Sequence, residues 1–425
     1  MKTTRRTFLA AGASAGAAVP FLGQQPAWLE ALAQAGGAPE DNILVVVQVR
    51  GGWDQHQLLC EVDHPVYIAA RPNIKLDKTK VLPVATSVPH YWHPAAQPFK
   101  DLFDRGDLAV VQNVGYPSPN LSHFTSEKKW YSADATATQV QQGWLSSYLK
   151  KGYTGTFQIP AINVESRLNE VFLGSRLPVF TRVTDFQFQM DTSTYARNDN
   201  AVQLETLAAN ASAPRLGGDP SLLYVSASTA DAVADSALLQ SVGSAYTPMV
   251  TYPTATLSTY LQLIARYITH GLKTQVYYTS GGGFDTHANE VVATATETGT
   301  FANRLADITG PIKAFLDDIK AYGYEKKVIV LVWSEFSRRL GENGSLGTDH
   351  GHGGISFLAG EPITGGLYGT PPDLSQATTP YTSYYVPFNS LSTDFRHIYA
   401  TIVEKWFGAR QLDVLGATYP TLGML

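Results

Sequence analysis

Between Ser334 and Gly354 the chain reads S-E-F-S-R-R-L-G-E-N-G-S-L-G-T-D-H-G-H-G-G. This stretch sets three acids, Glu335, Glu342 and Asp349, and two histidines, His350 and His352, among six glycines. Carboxylate and imidazole without thiolate form a donor set for a divalent cation of hard to borderline character. So many glycines make a poor core but let the backbone bend donors around an ion. Glu342, midway along the glycine-rich excursion, reads as a solvated loop acid.

Two further segments repeat the arrangement. The apolar run Asn42 to Val49 ends at Arg50-Gly-Gly-Trp-Asp54, and the run Thr274 to Thr279 ends at Ser280-Gly-Gly-Gly-Phe-Asp285-Thr-His287. Lys327 to Trp333, just before the first stretch, has the same unbroken β-branched character, which is that of strands buried on both faces of a parallel sheet. Three strands would then deliver Asp54, Asp285 with His287, and Glu335 with Asp349, His350 and His352 to the carboxyl edge where open α/β sheets bind ligands. Seven donors suit one or two divalent ions, Zn²⁺ or Mn²⁺ with the imidazoles and Mg²⁺ or Ca²⁺ at an all-carboxylate position. Two ions about 4 Å apart would assist in-line displacement at phosphorus or sulfur. A nucleophile is available in Ser122, near the start of a helix expected over Leu121 to Trp130, where free N–H groups favour an anion. His123 follows it, and Arg338, Arg339 or Arg50 could clamp non-bridging oxygens. Ser122, His123 and Arg338 make up the expected catalytic set.

The elements that must position these residues are legible as well. Leu108 to Val114 reads as a strand before the Ser122 helix, and Ile355 to Ala359 as another after the ligand-rich stretch. Helices are expected over Ala96 to Phe103, Leu257 to Leu272, Thr300 to Ala321 with Leu305, Ile308, Ile312, Phe315, Leu316 and Ile319 on one face, and Phe395 to Phe407 capped at Asp394. Residues 361 to 390 read as surface loops. The segment 134–256, rich in Ala, Ser and Thr, reads as crossover helices plus a cap or insertion, with strands at Pro160 to Val164 and Leu222 to Ser226. A length of 425 residues with 44% hydrophobic content supports a large packed α/β domain over residues 36–425. Net charge is −5, and residues 1–35 contribute a net +2 through Lys2, Arg5, Arg6 and Glu30, leaving about −7, which argues against nucleic-acid binding.

Residues 1–35 carry an Arg5-Arg6 pair, a short apolar region from Ala10 to Val19 and small-residue cleavage sites at Ala31-Leu-Ala33 and Ala33-Gln-Ala35. This is the pattern of a twin-arginine export signal, too short for a membrane span of roughly 20 residues. It predicts a periplasmic or secreted protein handed folded to the twin-arginine translocase. The single Cys60 cannot form an internal disulfide, so stability must come from the core.

Taken together, Arg50-Gly-Gly-Trp-Asp54, Val114-Gly-Tyr-Pro117 with Ser122-His-Phe124, Gly283-Phe-Asp-Thr-His287, Trp333-Ser-Glu-Phe336 and Gly347-Thr-Asp-His350 resemble the bacterial family of exported proteins known as domain of unknown function 1501. That family is similar to the alkaline phosphatase and sulfatase superfamily. The resemblance implies a three-layer αβα sandwich around a mostly parallel sheet, Asp54 as first-strand metal ligand, Ser122 as nucleophile, and Asp285 with His287 as the middle ligands, spaced D-x-H where D-x-x-x-H is usual. For the last ligands two alignments stay open: Glu335 with His350 or His352, or Asp349 with His350. The implied activity is hydrolysis of phosphate or sulfate esters of a small molecule, glycan or lipid. The alternative is a catalytically degenerate binding or assembly protein on the same fold.

Overall fold

The computed structural model describes residues 42–85, 88–153, 159–165, 167–175, 179–181, 238–239, 242, 246–377, 386 and 392–425. The export segment 1–35 and the strand expected at Leu222 to Ser226 lie outside them. The chain divides into two compact units, one of residues 1–37 with 185–244 and the other of residues 38–184 with 245–425. In the first, the described residues are Leu238, Leu239 and Val242, with the Val242 N–H donating to the Leu238 carbonyl at 2.9 Å. All that follows concerns the second unit.

Its main sheet uses strands β1 (Ile43–Arg50), β2 (Leu108–Gly115), β3 (Ala161–Asn163), β4 (Val179–Thr181), β5 (Val276–Gly282), β6 (Val328–Trp333), β9 (Gly354–Ala359), β10 (Gly366–Tyr368) and β11 (Thr393–Asp394). Strands β7 (Ser337–Glu342) and β8 (Thr348–Gly351) form a separate antiparallel hairpin. The sheet order is β10-β2-β9-β6-β1-β5-β3-β4, with β11 also on β2. Every pairing is parallel except those of β9 with β2 and β6. The expected mostly parallel α/β sheet is therefore what forms, with the β9 strand running against it.

The sequence explains the arrangement. Strand β1, I-L-V-V-V-Q-V-R, is buried along all but its last residue and sits centrally, Val45 beside Tyr277 on one side and Val330 on the other. Alternate residues point to opposite faces. Leu44, Val46, Tyr278, Leu331 and Trp333 join one core with Trp130, Trp144, Tyr148, Phe395 and Tyr399. On the other face lie helices α1 (Gln97–Asp104), α3 (Thr256–Thr269) and α4 (Thr300–Ala321), while α2 (His123–Ser132) and α5 (Phe395–Thr401) cover the first. The result is three layers, helix on sheet on helix.

Strand β5 differs from expectation in running on through Gly282, because Ser280, Gly281 and Gly282 continue pairing with Gln48, Val49 and Arg50. Residues 361–390 are not all loop, since Gly366 to Tyr368 pairs with Ala109 to Val111 as an edge strand. Among the described residues no helix is long and apolar enough to cross a membrane.

Candidate metal centre

The carboxyl ends of β1, β5 and β6 lie side by side, and the start of β9 meets the end of β2 at Gly354 and Val114. Loops leaving this one edge therefore meet. The turn after β1 is tight: Gly51 has φ +108°, and a Cβ there would fall 2.5 Å from the Asp285 N atom. Only glycine lets the β1 and β5 loops touch. The stretch past β6 is carried back by the β7–β8 hairpin, which pairs Arg338 with His350 and so returns His350 to the edge that Glu335 left.

Four side chains converge there. One donor atom from each of His123, Asp285 and His350 lies within 4.8 Å of the others. The Nε2 atoms of His123 and His350 are 3.1 Å apart, and Asp285 Oδ1 lies 3.3 and 3.2 Å from them. His287 adjoins this trio, with its Nε2 2.9 Å from His350 Nε2 and 3.0 Å from Asp285 Oδ1.

Each ring is held from behind by an acceptor. His123 Nδ1 lies 2.6 Å from Glu335 Oε1, His287 Nδ1 lies 2.9 Å from Asp349 Oδ1, and His350 Nδ1 lies 2.6 Å from the Leu121 carbonyl. Carboxylates and carbonyls only accept, so all three Nδ1 atoms must carry a proton, and a ring with no second proton turns its Nε2 lone pair inward. Lone pairs facing one another at about 3 Å repel unless a cation or proton lies between them. Histidines so oriented, around a carboxylate oxygen, fit a divalent ion with nitrogen and oxygen ligands.

Electrostatics favour the donor form of Asp285 and His350. Partial burial would raise the Asp285 carboxyl, but the hydrogen bond and charge of Arg338 hold it well below the usual carboxylate range. Burial pushes the His350 imidazole down, favouring the neutral form that ligates. For His123 the balance runs the other way: burial opposes a charge, but the Glu335 hydrogen bond and charge outweigh it, so this ring holds a second proton more readily and a cation must displace that proton.

The structure divides the residues singled out from sequence. Asp285, His287 and His350 stand together in the cluster, and His123, expected as a catalytic neighbour, stands with them. Glu335 and Asp349, expected as ligands, stand behind two rings and orient them. Glu335, 1% exposed, also accepts the Gly51 N–H at 2.9 Å and the Ser334 hydroxyl at 3.0 Å. The described contacts of the centre do not include His352.

Asp54 is withdrawn altogether. Fully buried, it accepts from Arg71 Nη1 and Nη2 at 2.6 and 3.1 Å and from the His56 N–H at 2.8 Å, which caps the short helix Gln55–Leu58. Arg71 was given no part by sequence reasoning, and only the fold brings it within reach. Glu290, also buried, faces the same pair, so burial and then the charge of Asp54 push its carboxyl up.

Arg338 is a correction of another kind. Its guanidinium is fully buried and donates to the carbonyls of Gly52 at 2.8 Å, Thr348 at 3.1 Å and Phe284 at 3.0 Å, to Gly51 O, and to Asp285 at 2.7 Å. With its side chain out of reach of solvent, Arg338 fixes Asp285 and the loops rather than offering a free cation to an ester. Glu342 is no idle loop acid either: it accepts the backbone N–H groups of Asn73 and Ile74 at 2.9 and 3.0 Å.

Ser122 precedes helix α2, and its hydroxyl makes no capping bond. The residue is exposed, with His123 next in the chain and the Leu121 carbonyl holding His350 on the other side. A cavity of about 700 Å³ is lined by Arg50, Glu127, Glu165, Arg304 and Ser280 to Gly283 among others; none of the four clustered side chains lines it, but Glu127 lies one turn after His123 and Gly283 two residues before Asp285. Gly283, two residues before Asp285, has φ +94°, and a Cβ on it would lie 2.8 Å from Arg304 Nε, so the guanidinium rests on bare backbone. Glu127 and Arg304 were not anticipated from sequence. Glu127 sits one turn beyond His123, a spacing that could have pointed to it.

A family model described as a protein of unknown function, DUF1501, matches residues 110–410, and the chain belongs to that family. Among solved structures the chain is similar in outline to Ps i-CgsB in complex with k-i-k-neocarrahexaose, at 9% identity and a TM-score of 0.39 over 90% of this chain and 75% of that one. It is similar too to the lipoteichoic acid synthase LtaP from Listeria monocytogenes, with 8% identity and TM-score 0.34 over 89% and 76%. The PsFucS1 sulfatase from Pseudoalteromonas sp. matches with 12% identity and TM-score 0.35 over 93% and 72%. No curated protein matches the chain.

Proposed function

We propose that this protein is an exported, metal-dependent hydrolase of phosphate or sulfate esters. The observation that carries the reading is the inward convergence of the His123 and His350 lone pairs with that of His287 on Asp285 Oδ1, each ring fixed by an acceptor at its far nitrogen. His123, Asp285 and His350, with His287 alongside, would hold a divalent ion, Zn²⁺ or Mn²⁺ by the donor set. Such an ion offsets negative charge on the ester and makes a bound hydroxyl or water acidic. Ser122, free of capping duty, stands next to His123 as the hydroxyl best placed to attack. Arg50 and Arg304, at the rim of the cavity and 46% and 48% exposed, are the cations that can reach non-bridging oxygens. The Arg5-Arg6 signal accounts for export to the periplasm or beyond through the twin-arginine translocase, and small-molecule, glycan or lipid esters are the candidate substrates.

The test combines metal analysis of the purified chain with a panel of aryl phosphates and sulfates. Asp285→Ala is expected to lose metal and turnover together, and Ser122→Ala to keep the metal and lose turnover. A chain that holds no stoichiometric divalent ion after purification without chelator would refute the reading. A second reading, a metal-binding protein that does not turn over esters, is favoured by the removal of Asp54 into its pair with Arg71 and of Arg338 into backbone contacts. It predicts tight metal binding with no hydrolysis of any panel member.

A further inference from the structure

Helix α2 carries His123 into the metal centre and, one turn later, Glu127 into the wall of the 700 Å³ cavity. Glu127 is held in a defined way. The Tyr131 and Tyr278 hydroxyls both donate to Gln48 Oε1, at 2.8 and 2.6 Å, and both phenols are pushed well above their ordinary range by burial, so they stay protonated donors. Two donors on one amide oxygen fix which way the fully buried Gln48 faces. Its NH₂ group must point the other way, where it donates to Glu127 Oε1 at 2.8 Å. The second oxygen, Oε2, makes no hydrogen bond among the described residues, and the side chain keeps 19% of its surface exposed. A buried tyrosine–glutamine chain thus pins one oxygen of a carboxyl that lines the cavity.

We propose that Glu127 is the proton donor to the leaving oxygen of the ester, and that the cavity it lines receives the alcohol part of the substrate. The proposal rests on the ester-hydrolase reading above. Gly283 lines the same cavity two residues before Asp285, so an ester held at the metal centre would extend its alcohol past Glu127. As the Ser122 oxygen forms its bond to phosphorus or sulfur and gives up its proton to solvent, the bond to the leaving oxygen breaks and its electron pair stays on that oxygen. The oxygen takes the Glu127 proton and departs as a neutral alcohol. Water then forms the new bond to phosphorus or sulfur as the bond to the Ser122 oxygen breaks; that oxygen recovers a proton from solvent, and the proton the water gives up restores the Glu127 carboxyl.

The charges around Glu127 bear on this role. His123 and Tyr131 share its helix, Arg50 faces it from the end of β1 with Nε 3.9 Å from Oε1, and Glu335 faces it from the end of β6. Glu165, at the end of β3, takes up Arg50 Nη2 at 3.3 Å and so divides that cation's charge. Burial first, and then the Glu335 charge, push the Glu127 carboxyl up to about 7 despite Arg50. A carboxyl in that range is protonated often enough to donate near neutral pH and acidic enough to give the proton up.

The test compares Glu127→Gln with the metal-loaded wild type on two esters of the same phosphate or sulfate group, one of 4-nitrophenol and one of a simple alkyl alcohol. Nitrophenolate leaves without a proton and an alkoxide does not, so kcat on the alkyl ester is expected to fall about 10²-fold or more while kcat on the nitrophenyl ester stays within about threefold. The alkaline limb of the alkyl-ester pH profile should disappear in the same variant. The amide can still accept from Gln48, so folding should be kept, and a thermal melt checks it. If Glu127→Gln does not fold, Gln48→Met, which frees the carboxyl from its tether, should show a smaller loss with the same leaving-group dependence. Equal losses on both esters, or no loss on the alkyl ester, overturn the proposal and leave the hydrolase reading standing. A metal-loaded wild type inert toward both esters overturns the hydrolase reading, and this proposal with it.

Discussion

Glu335 offers the sharpest test of how the candidate centre is built, because its sequence position suggested a metal ligand and the structure puts it behind the His123 ring. Its Oε1 accepts from His123 Nδ1 at 2.6 Å and from the Gly51 N–H at 2.9 Å, and its Oε2 accepts from the Ser334 hydroxyl at 3.0 Å. In Glu335→Gln the amide oxygen can keep the two Oε1 contacts, and Ser334 can turn its hydroxyl to accept from the new NH₂ group. Shape and hydrogen-bond count are then preserved. What disappears is the negative charge behind His123, and a charge-assisted bond roughly twice as strong as a neutral one becomes ordinary. Carboxylates in this position tune the basicity and aim of the ring, and their loss costs about 10- to 100-fold in metal affinity. That is about 1.4 to 2.8 kcal/mol at 1.4 kcal/mol per tenfold. The assay is competition for Zn²⁺ or Mn²⁺ against a chromophoric chelator at fixed pH, with His350→Ala as the reference for loss of a true donor. Glu335→Gln should fall between wild type and His350→Ala. An affinity equal to wild type, or one as poor as His350→Ala, would refute the assignment of Glu335 to an orienting role.

Three further outcomes follow from the same geometry. Arg71→Met strands the fully buried Asp54 carboxylate without its partner, a loss of about 3–5 kcal/mol in chemical denaturation, and adding Asp54→Asn should restore part of it. The Glu290 carboxyl is raised in the folded chain by burial and by Asp54, above the ordinary value of about 4.3. Between that value and the folded one the unfolded chain has released this proton and the folded chain has not, so its contribution to stability is lost as pH rises; Glu290→Gln should flatten that decline in melts taken from pH 5 to 8. Gly51→Ala, at φ +108° with its Cβ 2.5 Å from the Asp285 N atom, should cost more than the 1–3 kcal/mol or so typical of backbone strain alone, and should weaken metal binding. Gly323→Ala, at φ +78° with open space around it, is the control and should show strain only and no change in metal affinity.

Much of this organisation could be read in the chain itself. Strands β1, β2, β5, β6 and β9 announce themselves as short apolar runs ending in glycine or a polar turn, because a strand covered on both faces has no polar side to show. Helix α4 carries its apolar stripe from Thr300 to Ala321 as expected. The chemistry at the carboxyl edge was legible for the same reason: Asp285 and His287 follow a strand directly, and a parallel sheet sends all such ends one way. The β7–β8 hairpin was not legible, since S-R-R-L-G-E and T-D-H-G have no alternation that marks strands. The antiparallel sense of β9 was hidden as well, because an apolar run carries no sign of direction.

What the sequence determined by itself is the supply: which residues can ligate, and that three strand ends would bring them to one edge. The division of labour among them came only with the tertiary structure. Glu335 and Asp349 are as capable of binding metal as Asp285, and Asp54 was the best-placed acid of all by its position after β1. Which acid joins the histidine cluster, which meets a histidine from behind and which meets Arg71 depends on contacts between residues far apart in the chain, such as Asp285 with His350 and Arg338, or His123 with Glu335. A carboxylate's role is set by its nearest cation or donor, and that neighbour is chosen by the packing of the loops rather than by the order of the residues.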